Sequence, residues 1–405
     1  YLSSLMGEAM VKGFQGNDLI ESNSIAACAK HFVGYGAVEG GRDYNSTSVT
    51  PYALRNTYLV PFQKAIDAGV LTVMTSFNDN DGIPSSGNEY LLKQVLRKEL
   101  GFNGLIVSDW NSVGEMITHG FAVDGKDAAR LAANAGLDME MNTELYVKYL
   151  KQLVEGGKVS VADIDTSVRY ILNIKFRLGL FDNRYLTVSD KSTIYSEEHL
   201  RAAKEAALKS AVLLKNSNST LPLKETQRIA IIGPMADAPY DQLGTWVFDG
   251  EADHTITPVR ALKNIMEYQD IQYIYEPILQ KTTDNDTVDF KKIKQTVENA
   301  DVVVVFVGEE SRLSGEAHSL SDINLIGRQS ELLKKVKNIG KPVVAIVMAG
   351  RPLTIERDLP YVDALLYCFH PGTMGGPAIW DLLFGWVNPS GKLPVTFVRE
   401  VGQIP

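Results

Sequence analysis

Short apolar runs without a polar interruption constrain this chain most. Leu105-Ile106-Val107 is one, introduced by Phe102-Asn103-Gly104 and stopped by Ser108-Asp109-Trp110. Three apolar residues in succession predict a strand covered on both faces, as in a parallel sheet. Parallel neighbours need long crossovers, so such a strand calls for helices between it and its partners. The pattern supplies them. Strands are predicted over 26–32, 70–76, 105–108 and 137–141, with helices over 52–68, 89–100, 127–135, 145–155 and 161–178. Pro51 suits the start of one helix, and Gly101 and Gly136 close two others. Repeated strand–helix units of this kind predict a parallel α/β sheet.

Polar groups collect where these strands end: Lys30-His31, Asn78-Asp79, Asp109-Trp110, and Glu140 with Asn142. Groups gathered at strand carboxyl ends are what a TIM-like (β/α) barrel shows. A complete eight-unit barrel takes roughly 250 residues, whereas about four units are legible here by periodicity. An open half-barrel would bare its strand edges. The expectation is therefore that 1–181 is the C-terminal part of a (β/α)8-like catalytic barrel whose N-terminal part is missing. The chain starts at Tyr1 without a Met or a signal peptide, which agrees with a piece of something longer.

An interdomain linker is expected over 182–199, and an α/β sandwich over 200–405. A helix is predicted over 197–214. Strands follow over 228–232, 271–275, 302–307, 343–347 and 364–368, with helices such as 291–300 and 328–339 between them. That alternation predicts a second parallel sheet with helices on both faces.

Composition excludes some functions. The net charge of −9, with no Lys/Arg cluster, argues against a nucleic-acid partner. No apolar run approaches the roughly 18 residues that span a bilayer. Cys28 and Cys368 are the two cysteines, and both lie in apolar runs that predict buried free thiols, with one disulfide as the alternative. Ile232-Gly233-Pro234-Met235 and Gly372-Thr373-Met374-Gly375-Gly376 lack the spacing of dinucleotide or phosphate loops. The six histidines are scattered, so neither a metal nor a cofactor is expected.

Asp109 beside Trp110 suits sugar chemistry. A carboxylate can attack or steady a cationic sugar carbon, and an indole can stack on a sugar face. Lys30 and His31, at another strand end, offer donors for vicinal hydroxyls. In the second half, Gly308-Glu309-Glu310-Ser311-Arg312-Leu313-Ser314-Gly315-Glu316-Ala317 follows the most apolar strand. A glycine-flexed loop there can extend a carboxyl group toward a ligand. Of its three glutamates, Glu316 has the smallest neighbours.

The ordered segments Ala29-Lys30-His31-Phe32-Val33-Gly34-Tyr35-Gly36, Gly41-Arg42-Asp43-Tyr44-Asn45, Val73-Met74-Thr75-Ser76-Phe77-Asn78 and Val107-Ser108-Asp109-Trp110 resemble glycoside hydrolase family three. Within it they are most similar to the bacterial periplasmic β-glucosidases. Ser314-Gly315-Glu316-Ala317, Gly350-Arg351-Pro352-Leu353 and Asn388-Pro389-Ser390-Gly391-Lys392-Leu393-Pro394 continue the match. The resemblance implies a barrel paired with a sandwich and a site between them. It implies Asp109 as nucleophile and Glu316 as general acid/base of a retaining exo-β-glucosidase without cofactor. Lys30 and His31 would hold substrate hydroxyls, and Trp110 would line the aglycone side. Phe77 stands where many relatives have Tyr, so a hydroxyl near the nucleophile is lost. An Asp and an Arg that family members use on the nonreducing sugar belong to the early barrel, ahead of Tyr1. The implied partner is a small oligosaccharide or β-glucoside, the implied location is periplasmic or secreted, and a homodimer is left open. The alternatives are a β-xylosidase of the same family and a catalytically silent sugar-binding protein. The hexosaminidase branch is disfavoured, because 34–45 contains no histidine.

Overall fold

The computed structural model describes residues 1–185, 194–266 and 271–404, with Met266 described in its backbone only. Of the expected linker, 186–193 lies outside the described residues. The chain divides into two compact α/β units, Tyr1–Ser189 and Asp190–Pro405.

In the first unit the strands Cys28–Phe32, Thr72–Thr75, Leu105–Trp110 and Met139–Met141 form one sheet in that spatial order. All of its pairings are parallel. Val73 lies between Ala29 and Ile106, which fixes the register of the first three strands. Helical segments from Pro51 to Asp67, Tyr90–Glu99 and Gly125–Ala135 provide the crossovers. Thr50 caps the first through the Ala53 amide, with Pro51 next to it, as the missing Pro N–H costs nothing there. Asp124 caps Gly125–Ala135 at 2.8 Å from the Asp127 amide, and Gly136 ends it in the left-handed region. The buried face of that helix is Ala128, Ala129, Ala132, Ala133 and Ala135. Ala128, Ala132 and Ala135 join the core that Leu92, Leu96, Ile106 and Met116 fill, while Ala129 and Ala133 face a second cluster with Leu153 and Val159. Burying a side chain such as Ile106 stabilises by about 1.5–3 kcal/mol.

Cys28 is exposed, contrary to the expectation of a buried thiol; Cys368 is buried. The reason is the position of Cys28–Phe32 at the sheet edge, paired only with Thr72–Thr75 among the described residues. A small hairpin, Asp79–Asn80 with Ile83–Pro84, was not anticipated. Its turn residues Asp81 and Gly82 have φ of 52° and 82°. Two positive φ values in succession are the signature of the tight hairpin turn that Asp-Gly favours.

The sheet of the second unit runs Val212–Asn216, Ala364–Tyr367, Val343–Met348, Val302–Gly308, Ile229–Ile232, Tyr273–Glu276. The first strand is antiparallel to its neighbour and the rest are parallel. The expected helix over 197–214 is therefore shorter. It is Glu197–Ser210, and Val212-Leu213-Leu214 belong to the edge strand. Strand Val302–Gly308 is buried along its whole length. Val302, Val304 and Phe306 enter one core with Trp380, while Val303, Val305 and Val307 enter another with Leu332 and Val336. Side chains alternating into two cores make a three-layer sandwich. Among the described residues, no helix is long and apolar enough to cross a membrane.

Candidate active site

Asp109 sits at the carboxyl end of the second innermost strand and is 8% exposed. Its Oδ1 accepts the Trp110 amide at 2.7 Å. Nε2 of His31 stands 3.1 Å from Oδ2, an ion-pair contact. That approach lacks hydrogen-bond alignment, and Oδ2 has no hydrogen-bond partner among the described residues. Burial, the largest influence, pushes this carboxyl up. The His31 contact, the Trp110 amide and the charges of His31 and Lys30 outweigh it, so the group is held below the ordinary aspartate value. The result is an ionised oxygen, shielded from bulk water, with His31 as its nearest donor. Such an oxygen can attack an electrophilic carbon.

Lys30 is exposed and reaches Asp109 through its charge. The His31–Tyr35, Tyr35–Phe77 and Phe77–Tyr44 ring pairs, with centroids 5.0, 6.0 and 4.5 Å apart, form an aromatic chain. Phe77 is buried in it. The Tyr35 hydroxyl donates to Asp43, fixing the ring that packs on His31. Trp110 is 61% exposed, a broad indole face free to meet a ligand. Sequence reasoning missed Tyr35 and Asp43 as supports, although both lie in the quoted motifs.

In the second unit, Gly308 has φ of 149°, and a Cβ there would lie 1.7 Å from the Met348 carbonyl oxygen. Only glycine lets the acidic loop leave the sheet at this point. The three glutamates then separate. Glu309, 1% exposed, pairs with Arg351 at 3.1 Å, and burial still pushes its carboxyl up. Glu310 accepts from Thr282 at 3.0 Å and pairs with Arg312 at 2.7 Å. Glu316 alone of the three is exposed, and its carboxylate accepts from Trp246 Nε1 at 3.1 Å. Trp246 carried no motif signal; it lies some 70 residues earlier in the chain.

The matches to known proteins follow this division. Residues 1–174 match the glycosyl hydrolase family 3 N-terminal domain, and 211–405 match its C-terminal domain. The chain belongs to glycosyl hydrolase family 3. A periplasmic β-glucosidase of Salmonella typhimurium is 40% identical over 100% of this chain and 56% of its own length. A β-xylosidase of Formosa agariphila is 35% identical over 100% of the chain and 58% of its own length. The structure of a Listeria innocua β-glucosidase in complex with glucose superposes with a TM-score of 0.93 at 41% identity, covering 99% of this chain and 55% of that one. The chain thus spans little more than half the length of the family 3 relatives it matches.

Because His31 is the first-ranked influence that lowers Asp109, its replacement should raise that carboxyl. In His31→Gln, burial remains while the opposing charge is gone. Ionised Asp109 would then be lost at a higher pH on acidification. Carbon-13 NMR of the Asp109 carboxyl should show its titration moved to higher pH, and an unmoved titration would remove His31 from this role.

Proposed function

We propose that the protein is a retaining, exo-acting β-glucosidase. The observation that carries this reading is Asp109: an ionised, buried carboxylate at a strand carboxyl end, its Oδ2 facing His31, in a family 3 chain. In the first step Asp109 Oδ2 bonds to the anomeric carbon. The glycosidic C–O bond breaks, and Glu316 gives its proton to the departing oxygen. In the second, water attacks that carbon, Glu316 takes the water proton, and the bond to Asp109 breaks. Retention by this route requires the two carboxyls about 5–5.5 Å apart. Lys30 and His31 would hold sugar hydroxyls, Trp110 would face the aglycone, and Phe77 would back the aromatic wall.

The spatial order of the four strands in the first sheet equals their chain order, with every pair parallel. That singly wound order supports reading the sheet as an arc of a β/α barrel. The substrate class is a small β-glucoside or oligosaccharide. The periplasmic name of the Salmonella relative supports a periplasmic location.

A β-glucoside carrying fluorine at C2 tests the reading, since its glycosyl-enzyme forms and persists. Peptide mapping should find the sugar on Asp109. A label elsewhere, or none while turnover proceeds, would reject the nucleophile. Aryl glycosides then define the sugar. The β-glucoside should exceed the β-xyloside in kcat/KM by about 10-fold or more, the worth of one well-placed group. The reverse order would establish the β-xylosidase reading that the Formosa relative supports. Glucose binding by calorimetry with no hydrolysis at all would leave a silent sugar-binding protein.

A further inference from the structure

Arg351 follows the strand Val343–Met348, whose last residue lies beside Gly308 in the sheet. The Arg351 turn and the acidic loop therefore leave the sheet side by side. Nε of Arg351 is 3.1 Å from Glu309 Oε2. Nη2 donates to two backbone carbonyls, those of Leu313 and, at 3.3 Å, His318. These carbonyls stand three residues before and two residues after Glu316. One guanidinium nitrogen thus holds both ends of the arch that carries Glu316. The base of the side chain is also fixed. The Tyr367 hydroxyl donates to the Arg351 carbonyl and accepts the Leu353 amide at 3.2 Å, and Tyr367 is fully buried in the sheet. Glu309 neutralises the guanidinium in a pair only 17% and 1% exposed at its side chains, where salt screens weakly. A planar guanidinium can serve a carboxylate and two carbonyls together; a lysine ammonium offers no such fork.

From this geometry we infer that Arg351 is a positioning residue for Glu316, clamping the loop that presents the acid/base to the departing oxygen. The inference rests on the reading of Glu316 given above. It accounts for the buried Glu309, which is otherwise an acid in the site loop with no chemical task.

The test uses leaving groups. From a 2,4-dinitrophenyl β-glucoside the dinitrophenolate leaves without protonation, whereas the phenolate of a phenyl β-glucoside needs the acid. Glu316→Ala is the reference. Its kcat/KM should fall about 10²–10⁴-fold with the phenyl substrate, and far less with the dinitrophenyl one. Azide should restore turnover and give the glucosyl azide. Arg351→Met should show the same asymmetry at smaller size, about 10–100-fold with phenyl and within about threefold with dinitrophenyl, as expected when a catalytic group is displaced. Arg351→Lys should not restore the phenyl rate. Arg351→Met leaves Glu309 buried and unpaired, so Glu309→Gln/Arg351→Met carries the test if the single variant fails to fold. Equal losses with both substrates, or full activity, would overturn the clamp. If Glu316→Ala itself shows no asymmetry and no azide response, the assignment of Glu316 falls and takes the clamp with it. That outcome is distinct from the clamp failing alone.

Discussion

Asp109→Asn is expected to lower kcat/KM for an aryl β-glucoside by on the order of 10⁴-fold or more, because the proposed covalent route would disappear with its proposed nucleophile. Asparagine is nearly isosteric, and its carbonyl oxygen can still accept the Trp110 amide, now 2.7 Å from Oδ1. What goes is the negative charge and the attacking oxygen, so the rate rather than the fold reports the change. Stability has a predictable sign as well. The native carboxyl lies below its ordinary value. Its charge therefore contributes to folding above the unfolded aspartate pKa, and that contribution is lost as pH falls through the native value. The wild type should consequently lose stability relative to Asp109→Asn on acidification, while the two curves run parallel near neutrality. Activity within tenfold of wild type, measured on protein free of residual aspartate, would end the assignment.

Asp109 and His31 stand out in the sequence because each closes an apolar strand, and the structure places both at strand carboxyl ends of one sheet. Their mutual contact was not legible, since it depends on strands 28–32 and 105–110, which are separated by Thr72–Thr75. The sequence paired Lys30 and His31 as donors for sugar hydroxyls. In the structure His31 makes the contact and Lys30 acts from an exposed position. Glu316 was chosen for its small neighbours. The structure separates the three by other means: Glu309 and Glu310 are buried and paired with Arg351, Arg312 and Thr282, whereas Glu316 is exposed and accepts from Trp246. Trp246 and Arg351 could not be found by local spacing, because each meets the acidic loop across a long stretch of chain.

Most strands were legible for a simple reason: those of the second sheet are apolar on both faces. The edge strand Val212–Asn216 was not. The apolar spacing of the preceding helix continues through Ala211-Val212-Leu213-Leu214, with no Gly or Pro to stop it. Ala211 turns extended at φ −68° and ψ 132°. From there the segment gains the ladder to Ala364–Tyr367 and the hydrogen bonds of Lys215 Nζ to the Leu359 and Val362 carbonyls, both at 2.7 Å. Tertiary pairing overrode a local helical preference. Asp138 was likewise missed, because its role appears only once strand, helix and loop are brought together.

Asp138→Ala should be the most destabilising of the single changes considered, by about 3–5 kcal/mol. Arg97 Nη2 meets its carboxylate at 2.6 Å, with side-chain exposures of 16% and 4%. The same carboxylate accepts the Ile106 amide at 2.8 Å and the Ser167 hydroxyl at 2.9 Å. Burial pushes Asp138 up and Arg97 down, in each case against their mutual attraction. Desolvation therefore consumes much of what the pair gains, and its net contribution is small. Breaking it is another matter. Alanine would leave the Arg97 guanidinium buried among Phe102 and Tyr170 without its counter-ion, and the Ile106 amide without an acceptor. For a unit of this size the melting temperature should drop by roughly 6–20 °C. Because Ile106 lies three residues before Asp109 in one strand, activity should fall below the melting transition as well. Arg97→Met combined with Asp138→Leu removes both charges and restores apolar volume, so it should recover most of the lost stability. If the double variant melts as low as Asp138→Ala, the loss lies in the Ile106 and Ser167 hydrogen bonds rather than in an orphaned charge.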